Sequence, residues 1–267
     1  MAGRAAVPEV IWARPERTGR GPKPAYSRAD IAAAAVRIAD AGGLDAVSMR
    51  HVAAELGCGT MSLYNYVPRK EDLYELMVDA VSAEHELWEP SGDWRADMVR
   101  VGHQTRDLMR RHPWLPRLMS GIYGFSPHAL RYLEHCLTCL DPLEASYGTK
   151  MELVAMLNAV VTMYVSNELA TAERTRSLPW SEEQETAVRI AYLGGQVATG
   201  AYPRMAAAFQ EDAGPIDLEA VFERALTRVL DGFEPRGRGG AGRPGPCAGR
   251  GAETDRGAET DRGARTD

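Results

Sequence analysis

The sequence predicts an all-α protein, a small N-terminal helical head followed by a larger helical domain. Three observations carry that expectation. Apolar residues recur at i, i+3, i+4, i+7 through most of residues 26–233. Pro113, Pro116, Pro127, Pro179, Pro203 and Pro215 fall between the periodic segments, where helices stop. No stretch alternates with the period of two expected of a half-buried strand.

The chain divides into four regions. Residues 1–25 form a basic arm rich in Arg, Pro and Gly, expected to be disordered when free. In residues 26–87, Ser27 can cap a first helix with Ile31, Ala34, Ala35, Ile38 and Ala41 on one stripe, ended by Gly42-Gly43. Ser48 caps a second, with Met49, Val52, Ala53 and Leu56 inward, and Gly57 stops it. After a turn at Cys58-Gly59, a third helix is expected from Thr60 to Val67, because the residue before Pro68 avoids helical geometry. A fourth starts near Arg69, with Leu73, Leu76, Met77, Ala80 and Val81 on one side. Residues 88–234 should hold helices at about 93–111, 115–121, 127–146, 149–173, 181–199, 203–212 and 217–233. Residues 235–267 repeat RGAETD, RGAETD and RGARTD at the end, have no apolar face, and read as a disordered tail.

Composition narrows the function. A 267-residue chain, 45% hydrophobic and 25% charged, can bury a real core. The net charge of −6 argues against indiscriminate nucleic-acid binding. Yet residues 1–25 carry +3 and residues 235–267 carry +2, leaving the middle near −11. An acidic body with basic ends can still grip DNA through a small local surface. The four cysteines, Cys58, Cys136, Cys139 and Cys247, are too few for a disulfide framework. With no apolar leader and an apolar run (Leu153–Val165) too short for a bilayer, a cytoplasmic protein without membrane partners is expected. Nor is an enzyme expected, for no phosphate-cradling glycine loop, G-x-S-x-G or metal-protease motif occurs.

The stretch CGTMSLYNYVPRKEDL, Cys58–Leu73, carries more hydrogen-bonding and basic groups than a surface or core helix needs. The second helix, a glycine-opened turn and the third helix together read as a helix-turn-helix. With Leu63 and Val67 inward, Met61 and Asn65 point outward, Ser62 stands beside them, and Tyr64 and Tyr66 flank them. Asn65 can pair with a base edge and Met61 can meet a thymine methyl. The Tyr64, Tyr66 and Ser62 hydroxyls, the helix start at Thr60, Arg50 and Lys70 all suit phosphate oxygens. Other readings stay open: the tyrosines can pack on neighbouring helices, and Met61 can simply cover the turn. Arg20 and Lys23, in TGRGPKP, suit a minor-groove arm or a merely solubilising tail.

SMRHVAAELGCGTMSLYNYVPRKEDLYELM resembles the DNA-binding domain of the tetracycline-repressor (TetR) family of bacterial regulators. Leu63, Tyr64, Tyr66, Val67, Lys70, Glu71 or Asp72, and Leu73 match that family's pattern; Pro68 departs from it. The resemblance implies a three-helix helix-turn-helix domain with phosphate contacts at Tyr64 and Lys70. It implies operator reading by Arg50 and Thr60 to Tyr66. HPWLPRLMSG and the closing segment from Tyr202 to Glu234 resemble the family's ligand-binding and dimerisation half more loosely.

The expected protein is a homodimeric repressor on a palindromic operator, released by a small-molecule effector and using no cofactor. An apolar effector cavity is expected between the proline-broken segment after His112 and the long helix from Thr149. Its lining would include some of Met98, Trp114, Met119, Tyr123, Met156 and Asn158. The long helix, apolar nearly all round, should pair with the closing helix at a dimer interface. A ligand-independent DNA-binding dimer is the alternative. A metal sensor using Cys136 and Cys139 is the weaker one, since a single CxxC more often belongs to a core.

Overall fold

The computed structural model describes residues 10–14, 26–119, 125–211 and 217–234. Among them lie eleven α-helices and no strand. The head contains α1 (Arg28–Gly42), α2 (Met49–Glu55), α3 (Thr60–Leu63) and α4 (Lys70–Ser82). Then follow α5 (Trp94–Arg111), α6 (Leu115–Met119), α7 (Pro127–Cys139), α8 (Tyr147–Ser177), α9 (Glu182–Ala198), α10 (Pro203–Glu211) and α11 (Leu218–Asp231). The described residues belong to one compact unit. The terminal repeats lie outside the described residues.

The caps follow sequence chemistry. Ser27 accepts from the Asp30 amide at 3.1 Å while Asp30 accepts from the Ser27 amide at 2.8 Å, a reciprocal capping box. Ser48 caps α2 through the His51 amide. Gly57, at φ +69°, ends α2, with the Cys58 amide donating to the Ala53 carbonyl and the Gly57 amide to that of Ala54. That left-handed turn swings the chain into α3.

Several boundaries differ from expectation, each for a local reason. α3 keeps one regular helical turn and continues to Val67 through tighter bonds, such as the Tyr66 amide to the Leu63 carbonyl at 2.9 Å. α7 stops at Cys139 instead of 146, because Asp141 precedes Pro142. α8 begins two residues early, capped by Ser146, and runs on until Leu178 meets Pro179. At 31 residues, with an 18-residue window of mean hydropathy 1.3, α8 is long and apolar enough to cross a membrane by length and composition, more than its apolar run alone indicated. Its buried stripe, Leu153, Val154, Leu157, Val161 and Val165, packs into the protein's own core.

The arm needs a correction. Within it, Ile11–Ala13 forms a 3-10 turn, and Ile11 is only 1% exposed. Trp12 packs against the core, while Arg28 on α1 donates to the Arg14 carbonyl at 2.9 Å. Two adjacent large apolar side chains outweigh the surrounding Arg and Pro once α1 and α4 offer a groove.

Candidate nucleic-acid interface and effector pocket

The head builds one exposed polar patch on a buried support. Leu63 and Val67 are buried, as the helical wheel requires, so Tyr64 and Asn65 between them turn outward. Met61 is 78% exposed, and Ser62, Tyr64, Asn65, Arg50 and Lys70 are exposed with it; Thr60 is half-buried at the helix start. Tyr66 is half-buried and packs against the core, the structural role left open for it. Lys70 holds its ammonium 5.3 Å from the Tyr74 ring centre. Its neighbour Arg69 instead caps α4: the Arg69 amide and Nε donate to Asp72 at 3.1 and 3.0 Å. Arg20 and Lys23 lie outside the described residues.

α4 runs from this patch into the larger domain and is tied there by carboxylates. Asp79, nearly buried, accepts from the His128 amide at 2.8 Å and faces its Nδ1 at 2.8 Å, fixing the start of α7. Beyond the end of α5, His112 is buried with Nδ1 2.8 Å from Asp40 of α1 and Nε2 3.1 Å from Glu84, just past α4. The Trp114 indole donates to the same Asp40 oxygen at 2.7 Å.

A cavity of about 150 Å³ opens between α4, α5, α6, α7 and α8. Val78 and Ser82 of α4 form one wall; Thr105, Leu108, Met119, Tyr132 and Asn158 are among the others. Of the residues expected around an effector, Met119 and Asn158 line this cavity. Met98 and Trp114 do not: both are buried in the core, Trp114 held by Asp40. Met156 is 44% exposed and lines an open groove between α8 and α11 with Val229 and Phe233. Tyr123 lies outside the described residues. Helical periodicity tells which way a side chain faces, but not whether it meets a neighbour or a void. The sequence reading missed His85 and Tyr132; the available signals were a histidine just past an amphipathic helix and a phenol on an apolar stripe.

Tyr132 donates to Asn158 Oδ1 at 2.9 Å and lies 3.5 Å from the Thr105 hydroxyl. Burial holds its phenol far above the ordinary pKa, so it stays a donor. The two thiols of α7 are buried, and that burial pushes Cys136 up to about 12 and Cys139 up to about 11. Thiols held protonated are poor metal ligands. Among the described residues no group of three His, Cys, Asp or Glu side chains is placed to hold a metal ion.

The outer helices are held by charge. Arg106 of α5, its side chain 3% exposed, donates to Glu219 of α11 at 2.6 Å and to Glu168 of α8 at 2.7 Å. Arg110 reinforces both carboxylates, and the Arg106 guanidinium lies 4.2 Å from the Phe222 ring centre.

Known proteins share this arrangement. The family model for bacterial regulatory proteins, tetR family, matches residues 31–77. That for the tetracyclin repressor-like C-terminal domain matches residues 88–236. The HTH-type transcriptional repressor DrrR1 of Streptomyces coeruleorubidus is 36% identical over 228 residues, 85% of this chain and 84% of that one. An HTH-type transcriptional regulator of Saccharopolyspora erythraea is 33% identical over 229 residues, 85% of this chain and 92% of its own. Among solved structures, ActR of Streptomyces coelicolor in complex with actinorhodin superposes with a TM-score of 0.66 at 24% identity, over 79% of this chain and 96% of that one. With the family model covering more than half of its length and relatives above 30% identity along most of it, the chain belongs to the TetR family of bacterial transcription regulators.

Proposed function

We propose that this protein is a homodimeric, ligand-responsive transcriptional repressor. It binds a palindromic operator and leaves it when a small molecule fills the cavity beside α4. The observation that carries this reading is the span of α4. Its first residue, Lys70, stands beside the exposed patch, while Val78 and Ser82, a few turns on, form a wall of the cavity. A ligand that fits only when that wall shifts moves the head as well, and its differential affinity for the two positions sets the size of the effect. ActR, which carries actinorhodin, supports the idea that this fold can house a small molecule.

On DNA, Asn65 and Met61 meet base edges, and Tyr64, Ser62, Thr60, Arg50 and Lys70 hold phosphates, with Tyr66 bracing the helix from inside. Arg20 and Lys23 extend the grip into the adjoining minor groove. The outward face of α8 and the half-buried Val221, Ala225 and Val229 of α11 pair with the same face of a second copy. α9 and α10 bury no residue of their own yet carry Val188, Ile190, Tyr192, Met205 and Phe209, which supports further burial in the dimer.

The test is selection of binding sites from random DNA, followed by release assays with small apolar compounds. A two-fold symmetric site bound by a dimer and released by a cavity ligand is the expected result. A bound site that no cavity ligand can release would leave only the ligand-independent reading.

A further inference from the structure

The side chains around α6 divide between the cavity and the head. Leu115 and Met119, one helical turn apart, line the cavity. Trp114, just before α6, and Arg117 within it reach the head instead. The Trp114 indole donates to Asp40 Oδ1 at 2.7 Å, and His112 Nδ1 lies 2.8 Å from the same oxygen. Arg117 donates to both oxygens of Asp45, at 3.1 and 3.3 Å.

The two carboxylates bracket one corner of the head. Asp40 lies in the last turn of α1, and Asp45 in the 3-10 turn Leu44–Ala46 that follows. Between them Gly43 turns the chain at φ +76°, a left-handed conformation that favours glycine. Directly beyond, Ser48 caps α2, and Met49 and Arg50 open it. The corner thus sets where α2 begins, and with it the Arg50 side of the exposed patch. The segment that faces it is stiff. Pro113 and Pro116 fix their own φ, and the Leu115 amide donates to the His112 carbonyl at 2.9 Å. His112 and Trp114 are buried, so little water competes for their bonds to Asp40. The Arg117–Asp45 pair is exposed and contributes less.

We infer that Asp40 is a positioning residue. Through Trp114 and His112 it makes α6 and the corner between α1 and α2 move together, so an occupant pressing on Leu115 and Met119 displaces the start of α2. The inference rests on the cavity being the effector site. It adds to α4 a second path, which enters the helix-turn-helix at its first helix rather than after its last. Glu84, facing His112 Nε2 at 3.1 Å, belongs to the α4 side of the junction. Substituting Asp40 therefore cuts one path and leaves the other.

The experiment uses the full-length protein with ¹³C-methyl methionine, benzene as the probe, and operator DNA selected from random sequence. A cavity of about 150 Å³ has room for one such ring. Met119 reports the cavity, Met49 the start of α2 and Met77 the middle of α4. Benzene should shift all three methyl resonances in the wild type. In Asp40→Ala the Met119 and Met77 shifts should remain while that of Met49 is largely lost. Asp40→Asn, which keeps an acceptor oxygen, should restore most of it. Operator affinity without benzene should stay within about threefold of wild type in Asp40→Ala, whereas the weakening caused by benzene should shrink roughly fivefold. A Met49 shift that survives in Asp40→Ala overturns the inference and leaves α4 as the path, even if the variant unfolds more easily. So does a wild-type Met49 that stays still while Met119 moves. If benzene moves none of the three, the cavity is not a ligand site, and the effector reading falls with the inference. Should Asp40→Ala fail to fold, Trp114→Phe removes the indole N–H, keeps a ring, and is read by the same outcomes.

Discussion

In α1 to α4 the chain closes its own core: Ile31, Val52, Leu63, Val67, Leu73 and Met77 are all buried. Among the side chains left outside are those of the patch around Met61, Asn65 and Lys70. In α9 and α10 the pattern is as amphipathic, but no residue is buried, and Val188, Ile190, Tyr192, Met205 and Phe209 are left open. The same helical code thus produces a finished unit in one region and an uncovered apolar face in the other. The head packs its apolar side chains within itself, whereas the distal helices leave theirs open on the single chain.

The largest expected effect tests that contrast directly. Leu63→Ala removes a buried side chain and should cost about 2–5 kcal/mol in urea denaturation. Ile190→Ala should change the unfolding of dissociated chains by less than about 0.5 kcal/mol and instead weaken self-association in sedimentation experiments. If Ile190→Ala costs the dissociated chain as much as Leu63→Ala, the distal helices are not the open half of an interface.

The N-terminal segment divides in the same way. Ile11→Ala should destabilise the fold by about 2–3 kcal/mol, since its side chain lies within the head's core. Arg20→Ala and Lys23→Ala should leave unfolding unchanged. Each should lower the slope of log K against log salt for DNA by about 0.9 if it holds a phosphate. A truncation of residues 1–22 mixes the two effects; the point substitutions separate them.

Within the exposed patch, Asn65→Ala should shift base preference by roughly 1–3 kcal/mol at one position. Lys70→Ala should weaken all sequences alike. Binding curves on a panel of operator variants distinguish the two. A Lys70→Ala protein with undiminished affinity would remove that residue from the interface.

How much of this was legible beforehand follows from the range of the interactions. The caps at Ser27 and Ser48, the stop at Gly57 and the inward pair Leu63 and Val67 depend on neighbours within a few residues, so sequence spacing exposes them. Ile11 and Trp12 were missed because their partners on α1 and α4 lie far along the chain. Met98 and Trp114 were placed in the cavity because spacing marks an inward face but carries no information about whether it is filled. Met119 and Asn158 share that uncertainty and happen to meet the void.

The smallest expected effect concerns charge, and it again separates the two regions. The head's Arg69–Asp72 pair lies three residues apart and caps its own helix. The Arg106 cluster joins α5, α8 and α11, so protonating it loosens helices distant in sequence. Hydrogen bonds from Arg106 and then Arg110 pull Glu219 down to about 2. For Glu168, burial pushes upward, but the bonds from Arg110 and Arg106 overcome it and leave the carboxyl below its ordinary value. A folded-state pKa below the unfolded one means stability that is fully present above about 4.5 and is lost as pH falls towards 2. Thermal unfolding should therefore drop through that window in the wild type and less steeply in Glu219→Gln, which starts lower at neutral pH. Glu219 is exposed, so salt should narrow the difference between the two proteins. Parallel acid profiles for wild type and Glu219→Gln would show that the cluster does not hold α11 against α5, and that packing of Phe222, Leu226 and Leu230 suffices.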